Sequence, residues 1–181
     1  MKRLSTVLRL LIWLIIAGLA TSSTRSNYTS NGKVNWIEMS ELSQAFEKDS
    51  SKLALVVVYA DDGWSKRYFI QSFTDTSVAY YADKYFHFVK FAKEIKDTIR
   101  LKGHDFVYNY NAGRRGAHQL SIQLLDGKME FPTTVILNSE FQVLQRLPGF
   151  IDHRKLVCLL QYFGEGHNKT TPWKEFEEGC K

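Results

Sequence analysis

Two adjacent carboxylates at Asp61 and Asp62, a serine at Ser65, five histidines and two late cysteines are the residues whose types could do chemistry. A carboxylate pair can move a proton or hold a cation. At a helix start the same pair caps the first turn and offsets the dipole, and that use is the one expected here. Ser65 would need a base to act as a nucleophile. Of His87, His104, His118, His153 and His167, only His87 and His104 fall near expected strand ends. Neither has a spacing that demands Ser65. There is no HExxH or HxxxH pair, and two cysteines are too few for a four-thiolate zinc site. No catalytic residue, metal or cofactor is therefore expected. Cys158 and Cys180 would pair in an oxidising compartment, closing a loop worth about 3 kcal/mol. The alternatives are two unpaired thiols or an intermolecular bridge through Cys180.

The elements that must position these residues follow from hydrophobic spacing. Residues 37–48 carry apolar or small residues at Ile37, Leu42, Ala45 and Phe46, which predicts an amphipathic helix. The run LALVVVY at 53–59 is the pattern of a strand buried on both faces. A helix is expected over 66–72, another through Val78, Tyr81, Ala82 and Tyr85, and a strand over 86–91. Lys102-Gly103-His104 marks a short hairpin within 96–109. A helix over 119–125, strands over 133–137 and 142–146, a helix over 152–163 and a last helix opening at Pro172-Trp173 complete the order. Cys158 falls roughly opposite the Leu156/Leu160/Phe163 face of its helix, partly exposed or covered by the C-terminal tail. Strand, helix, strand, helix, hairpin, helix implies a mixed central sheet with helices on both faces, an α/β architecture.

Length and composition fit one packed domain: 181 residues, 44% hydrophobic, 14% aromatic and 24% charged. The net charge of +5 is concentrated at the start. Without residues 1–20 the chain has 21 basic against 19 acidic residues, too even for a nucleic-acid face. Residues 1–9 carry three positive charges and no acid, and Leu10 to Ala20 is an apolar run. Gly18 and Ala20 place small residues before a cut after Ala20. That is the layout of a secretory signal peptide, since a spanning helix needs about 20 apolar residues. The less favoured reading is an uncleaved anchor, the one route to a membrane. Residues 21–33 read as a polar leader, 34–176 as the folded domain and 177–181 as a C-terminal tail. The expected location is periplasmic or otherwise in the cell envelope.

The motifs then narrow the fold. A buried strand ends in Tyr59-Ala60-Asp61 and enters a helix through Asp62-Gly63-Trp64-Ser65-Lys66-Arg67. Phe131-Pro132-Thr133-Thr134 comes later, followed by two strands, Pro148-Gly149-Phe150 and a helix. This ordered set resembles thioredoxin-like proteins. The stretches GRRGAHQLSIQLLDGKMEFPTT and YFGEGHNKTTPWKEF are similar to secreted thioredoxin-fold proteins of the Bacteroidota type. The resemblance implies a cis bond before Pro132 and an extended client paired along Phe131, Pro132 and Thr133. It also implies a Cys-x-x-Cys dithiol, and here the sequence departs. No cysteine lies between Ala20 and Val157, and the dithiol position is filled by Asp62, Gly63, Trp64, Ser65 and Lys66. The carboxylate that assists proton transfer in redox-active members falls at Val56 or Val57. Trp64 is either an exposed contact surface or packed on a neighbouring loop. The expected function is a redox-inactive envelope module that binds a protein or extended peptide. The alternative is a thiol-disulfide oxidoreductase using Cys158 and Cys180.

Overall fold

The computed structural model describes residues 33–112 and 115–180. The expected signal peptide and nearly all of the leader lie outside the described residues. A three-residue strand, β1 (Trp36–Glu38), opens the fold and passes through one 3-10 turn into α1 (Leu42–Lys48). Next come β2 (Leu53–Tyr59), α2 (Gly63–Ser72), α3 (Thr76–Tyr85) and β3 (Phe86–Ala92). An inserted region holds β4 (Ile99–Leu101), β5 (His104–Phe106), β6 (Tyr108–Asn109) and β7 (Ala117–His118). Then follow α4 (Gln119–Leu124), β8 (Thr133–Leu137), β9 (Val143–Pro148), α5 (His153–Gly164) and α6 (Trp173–Gly179).

Five strands form one sheet in the order β1-β3-β2-β8-β9. β1 and β2 run parallel to β3, while β8 is antiparallel to β2 and β9 to β8. Strand β2 lies at the centre, and its alternation feeds two cores. Ala54, Val56 and Val58 point to one face, against Leu42 and Phe46 of α1 and Leu120 and Leu124 of α4. Leu55 and Val57 point to the other, against Tyr68 of α2, Val78 and Ala82 of α3, and Leu156 and Leu160 of α5. A strand buried on both faces has no polar side to show, which is why it reads as an unbroken apolar run. This strand order and these directions are the thioredoxin-like fold, with helices on both faces of a mixed sheet.

Four details differ from the sequence reading. Residues 37–48 are not one helix: Trp36 to Glu38 pair with Phe88 to Lys90 as β1, and the α-helix starts at Leu42. α2 begins at Gly63 rather than 66, because Asp62 caps it. β9 runs two residues further, to Pro148, on an edge where the missing N–H costs the sheet nothing. The insertion is larger than one hairpin. Beside the β4–β5 pair it contains a two-residue ladder between β6 and β7.

Candidate functional site

The end of the sheet where β2 runs out and β8 begins carries the residues singled out from sequence. β2 ends at Tyr59, and the chain turns so that the Asp62 N–H donates to Ala60 O at 2.9 Å. Asp62 has extended backbone geometry, φ −136° and ψ 170°, and its carboxylate accepts from the Ser65 N–H at 2.7 Å. That satisfies one otherwise orphaned first-turn donor of α2 and sets a negative charge against the dipole. Asp61 pairs with Lys66 at 2.9 Å on the open surface, and this contact raises the Lys66 pKa. Asp62 is therefore the cap that the capping reading expects, whereas Asp61 is an exposed ion-pair partner of Lys66 outside the helix.

Ser65 is 1% exposed, and its Oγ has no hydrogen-bond partner among the described residues. No histidine serves it as a base. His87 contacts Asp49 O, His118 contacts Asp97 O and the Leu120 N–H, and His167 pairs with Glu165. His104 sits on the exposed β5 hairpin, and His153 opens α5. Val56 and Val57, where the proton-transfer carboxylate would stand, are fully buried among apolar side chains.

Across from this turn, the Phe131–Pro132 bond is cis. Pro132 O accepts from the Gly149 N–H at 2.8 Å, and Thr133 Oγ1 donates to Glu130 O at 2.8 Å. Thr133 pairs with Val58, and Thr134 Oγ1 meets the buried Tyr68 hydroxyl at 2.8 Å, tying α2 to the start of β8. Burial drives the Tyr68 pKa upward, so this hydroxyl stays protonated. Among the described residues the Phe131 N–H and C=O have no backbone hydrogen-bond partner. Lys93 Nζ lies 5.6 Å from the centre of the Phe131 ring.

Trp64 is both exposed and packed on a neighbouring loop. It is 49% exposed, and its inner side packs on Phe150 with ring centroids 5.7 Å apart. Phe150 also contacts Tyr68 at 5.3 Å and follows Gly149, the partner of Pro132. The turn at 62–66 and the Phe131–Thr133 segment are thus joined through Gly149-Phe150. That pair is legible in the sequence as a motif but not as a part of the site. Lys93 is not legible at all, since a single lysine after a strand carries no signal that it will reach an aromatic ring.

The two sulfurs lie elsewhere. Cys158 of α5 and Cys180, just after α6, form a disulfide with Cα atoms 5.9 Å apart. Cys158 is 5% exposed. Among the described residues no cluster of three or more metal-ligating side chains occurs, and no helix is long and apolar enough to cross a membrane.

No protein-family model matches the sequence, and no curated protein matches it. Solved structures do. A thioredoxin from Thermus thermophilus superposes with a TM-score of 0.49 at 14% identity, over 77% of this chain and 99% of that one. A thioredoxin-fold protein from Helicobacter pylori gives 0.48 at 12% identity, over 72% and 80%. The oxidised C-terminal domain of Neisseria meningitidis DsbD gives 0.40 at 15% identity, over 72% and 90%. The assignment of fold rests on the strand order and directions described above.

Proposed function

We propose that this chain is a thioredoxin-fold protein of the cell envelope that binds an extended polypeptide beside Pro132 and performs no dithiol chemistry at the α2 turn. The observation that carries this reading is that the Phe131 N–H and C=O have no backbone partner among the described residues, while the half-exposed Trp64 is linked to the same segment through Gly149-Phe150. Free main-chain groups at a strand entrance accept an added strand, and a large aromatic on the same end of the sheet supplies contact area at low entropic cost. The α2 turn supports the loss of chemistry: the stretch 62–66 where the dithiol would fall holds a capping carboxylate and a buried serine and no sulfur. The envelope location is supported by the basic and apolar pattern of residues 1–20.

The test is binding of a fluorescein-labelled, permanently unfolded probe, reduced and carboxymethylated α-lactalbumin, followed by anisotropy. Saturable binding that Trp64→Ala weakens about 30-fold, equivalent to about 2 kcal/mol, supports the site. No saturable binding by the wild-type chain rejects it. The Cys158–Cys180 pair favours a second reading, a thiol-disulfide oxidoreductase. Insulin reduction in dithiothreitol decides between them. Turnover that disappears in a Cys158→Ser/Cys180→Ser double variant establishes the second.

A further inference from the structure

We infer that the Cys158–Cys180 disulfide is a site of reversible exchange with a dithiol protein, and that its reduction releases α6 from the domain. This stands apart from peptide binding at Pro132. The two cysteines share the wall of an open cleft of about 510 Å³ with Asp75, His153, Arg154 and Gln161. Cys158 is nearly covered at 5% exposure, whereas Cys180 is partly exposed, so an incoming sulfur reaches Cys180 first. Arg154 stands one turn before Cys158 on α5, on the same helix face, and His153 lies beside it. A thiolate leaving at Cys158 is stabilised by that fixed positive charge. Asp75 is the opposing charge in the cleft; its carboxyl is held below the usual range by the Ser77 N–H and stays ionised.

The exchange balances in two steps. A thiolate of the dithiol partner attacks Cys180 Sγ, the Cys158–Cys180 bond breaks, and its electron pair leaves on Cys158 Sγ. The partner's second thiolate then attacks its own sulfur in the mixed disulfide, and Cys180 Sγ leaves with that electron pair. Both thiolates take up protons. Two electrons and two protons pass to this chain, and the partner becomes a disulfide.

The consequence turns on the edge position of α6, which rests on the domain through two aromatic side chains and one surface ion pair. No residue of this seven-residue helix is buried. Its contacts among the described residues include Trp173 and Phe176 against Tyr162, each at 5.1 Å, Phe176 against His167 at 4.7 Å, and a Lys155–Glu177 pair at 3.2 Å. Just before the helix the Tyr162 hydroxyl donates to Thr171 O at 2.7 Å, and Trp173 and Phe176 sit partly buried at the edge of the second core. A helix this short does not persist in water without tertiary support. Removing the crosslink therefore converts a docked helix into a loose segment and uncovers Tyr162.

The experiment treats the full oxidised chain, under native conditions, with a Cys-x-x-Cys reductase recycled by its NADPH-dependent partner enzyme. Thiols are counted by maleimide-polyethylene glycol gel shift, and tryptic cleavage at Lys174 is timed. Two thiols within minutes and cleavage at least tenfold faster after reduction support the inference. Arg154→Gln should slow native reduction several-fold at unchanged thermal stability; an unchanged rate overturns the role of the charge. Reduction only after denaturant is added overturns the exchange site. A Cys158→Ser/Cys180→Ser variant that folds yet keeps Lys174 as protected as the oxidised chain overturns the release of α6.

Discussion

At the N-terminus of α2 a carboxylate fills the cap, a serine hydroxyl is buried without a partner among the described residues, and no sulfur is present. On α5 a sulfur sits in the second helical turn, away from any free backbone N–H, and is bonded to another beyond α6. The first place has what activates a thiol, a helix start with donors aimed outward, and lacks the thiol. The second has the thiols and lacks the helix start. The position of a group on a helix decides its chemistry as much as its identity does. In this chain the two requirements are separated: the α2 helix start has no sulfur, and the sulfurs sit away from a helix start.

The largest expected effect comes from the sulfur side. Replacing Cys158 and Cys180 by alanine should lower stability by about 3 kcal/mol, the entropy of closing the loop between them. Urea unfolding of the full chain measures it. A loss below about 1 kcal/mol would mean that the aromatic contacts of α6 hold it unaided. The α2 side should respond in binding rather than in stability. Trp64→Ala should change stability by less than about 1 kcal/mol, since only its inner side packs, on Phe150. Phe150→Ala, by contrast, removes a ring that also touches buried Tyr68, and should cost about 3 kcal/mol. Equal stability losses at the two positions would place Trp64 in the core and end the recognition reading.

The two capped helices flanking the site offer a contrast in pH. His118 is fully buried and caps α4, accepting the Leu120 N–H on Nδ1, so its proton lies on Nε2, which donates to Asp97 O. Burial holds its pKa below 6.5. As pH falls below about 6.5 the unfolded chain takes up a proton that the folded chain refuses, so folding stability drops. Above that pH the contribution is complete and flat. The slope from this one group stays under about 1.4 kcal/mol per pH unit. His118→Asn, which can still cap, should flatten the wild-type decline between pH 6.5 and 5. Asp62→Ala should instead lower stability by about 1 kcal/mol at neutral pH, the usual loss for an N-cap.

Much of this arrangement is legible in the sequence, and the parts that are not have a common cause. The central strand, Leu53–Tyr59, announces itself because both of its faces are buried. β1 does not, because three residues are too few for a period, and Trp36-Ile37-Glu38 becomes a strand only by pairing with Phe88 to Lys90, some fifty positions away. The β6–β7 ladder, two residues long, escapes for the same reason. At the site, Asp62, Trp64 and Pro132 can be singled out by local pattern, whereas Lys93 and Phe150 join it through tertiary contact alone. Local chemistry is written locally; the partners that complete it are brought by the sheet.

The smallest effect is at Ser65, and it separates inherited shape from present use. Ser65 is 1% exposed and its hydroxyl makes no hydrogen bond among the described residues, so the folded state bears a desolvation cost that no contact there offsets. Ser65→Ala removes the buried oxygen and leaves a void no larger than one atom. The two terms oppose each other, and the desolvation term is the larger, so the variant should gain on the order of 0.5 kcal/mol. Denaturant unfolding at neutral pH reads this directly. Because the Ser65 N–H, not its side chain, bonds Asp62, the cap of α2 stays intact in the variant. Binding of the unfolded probe should then be unchanged, in contrast to Trp64→Ala. A clear loss of stability or of binding in Ser65→Ala would show that the hydroxyl serves a bound water or the client itself. The α2 turn would then be a working site in its own right.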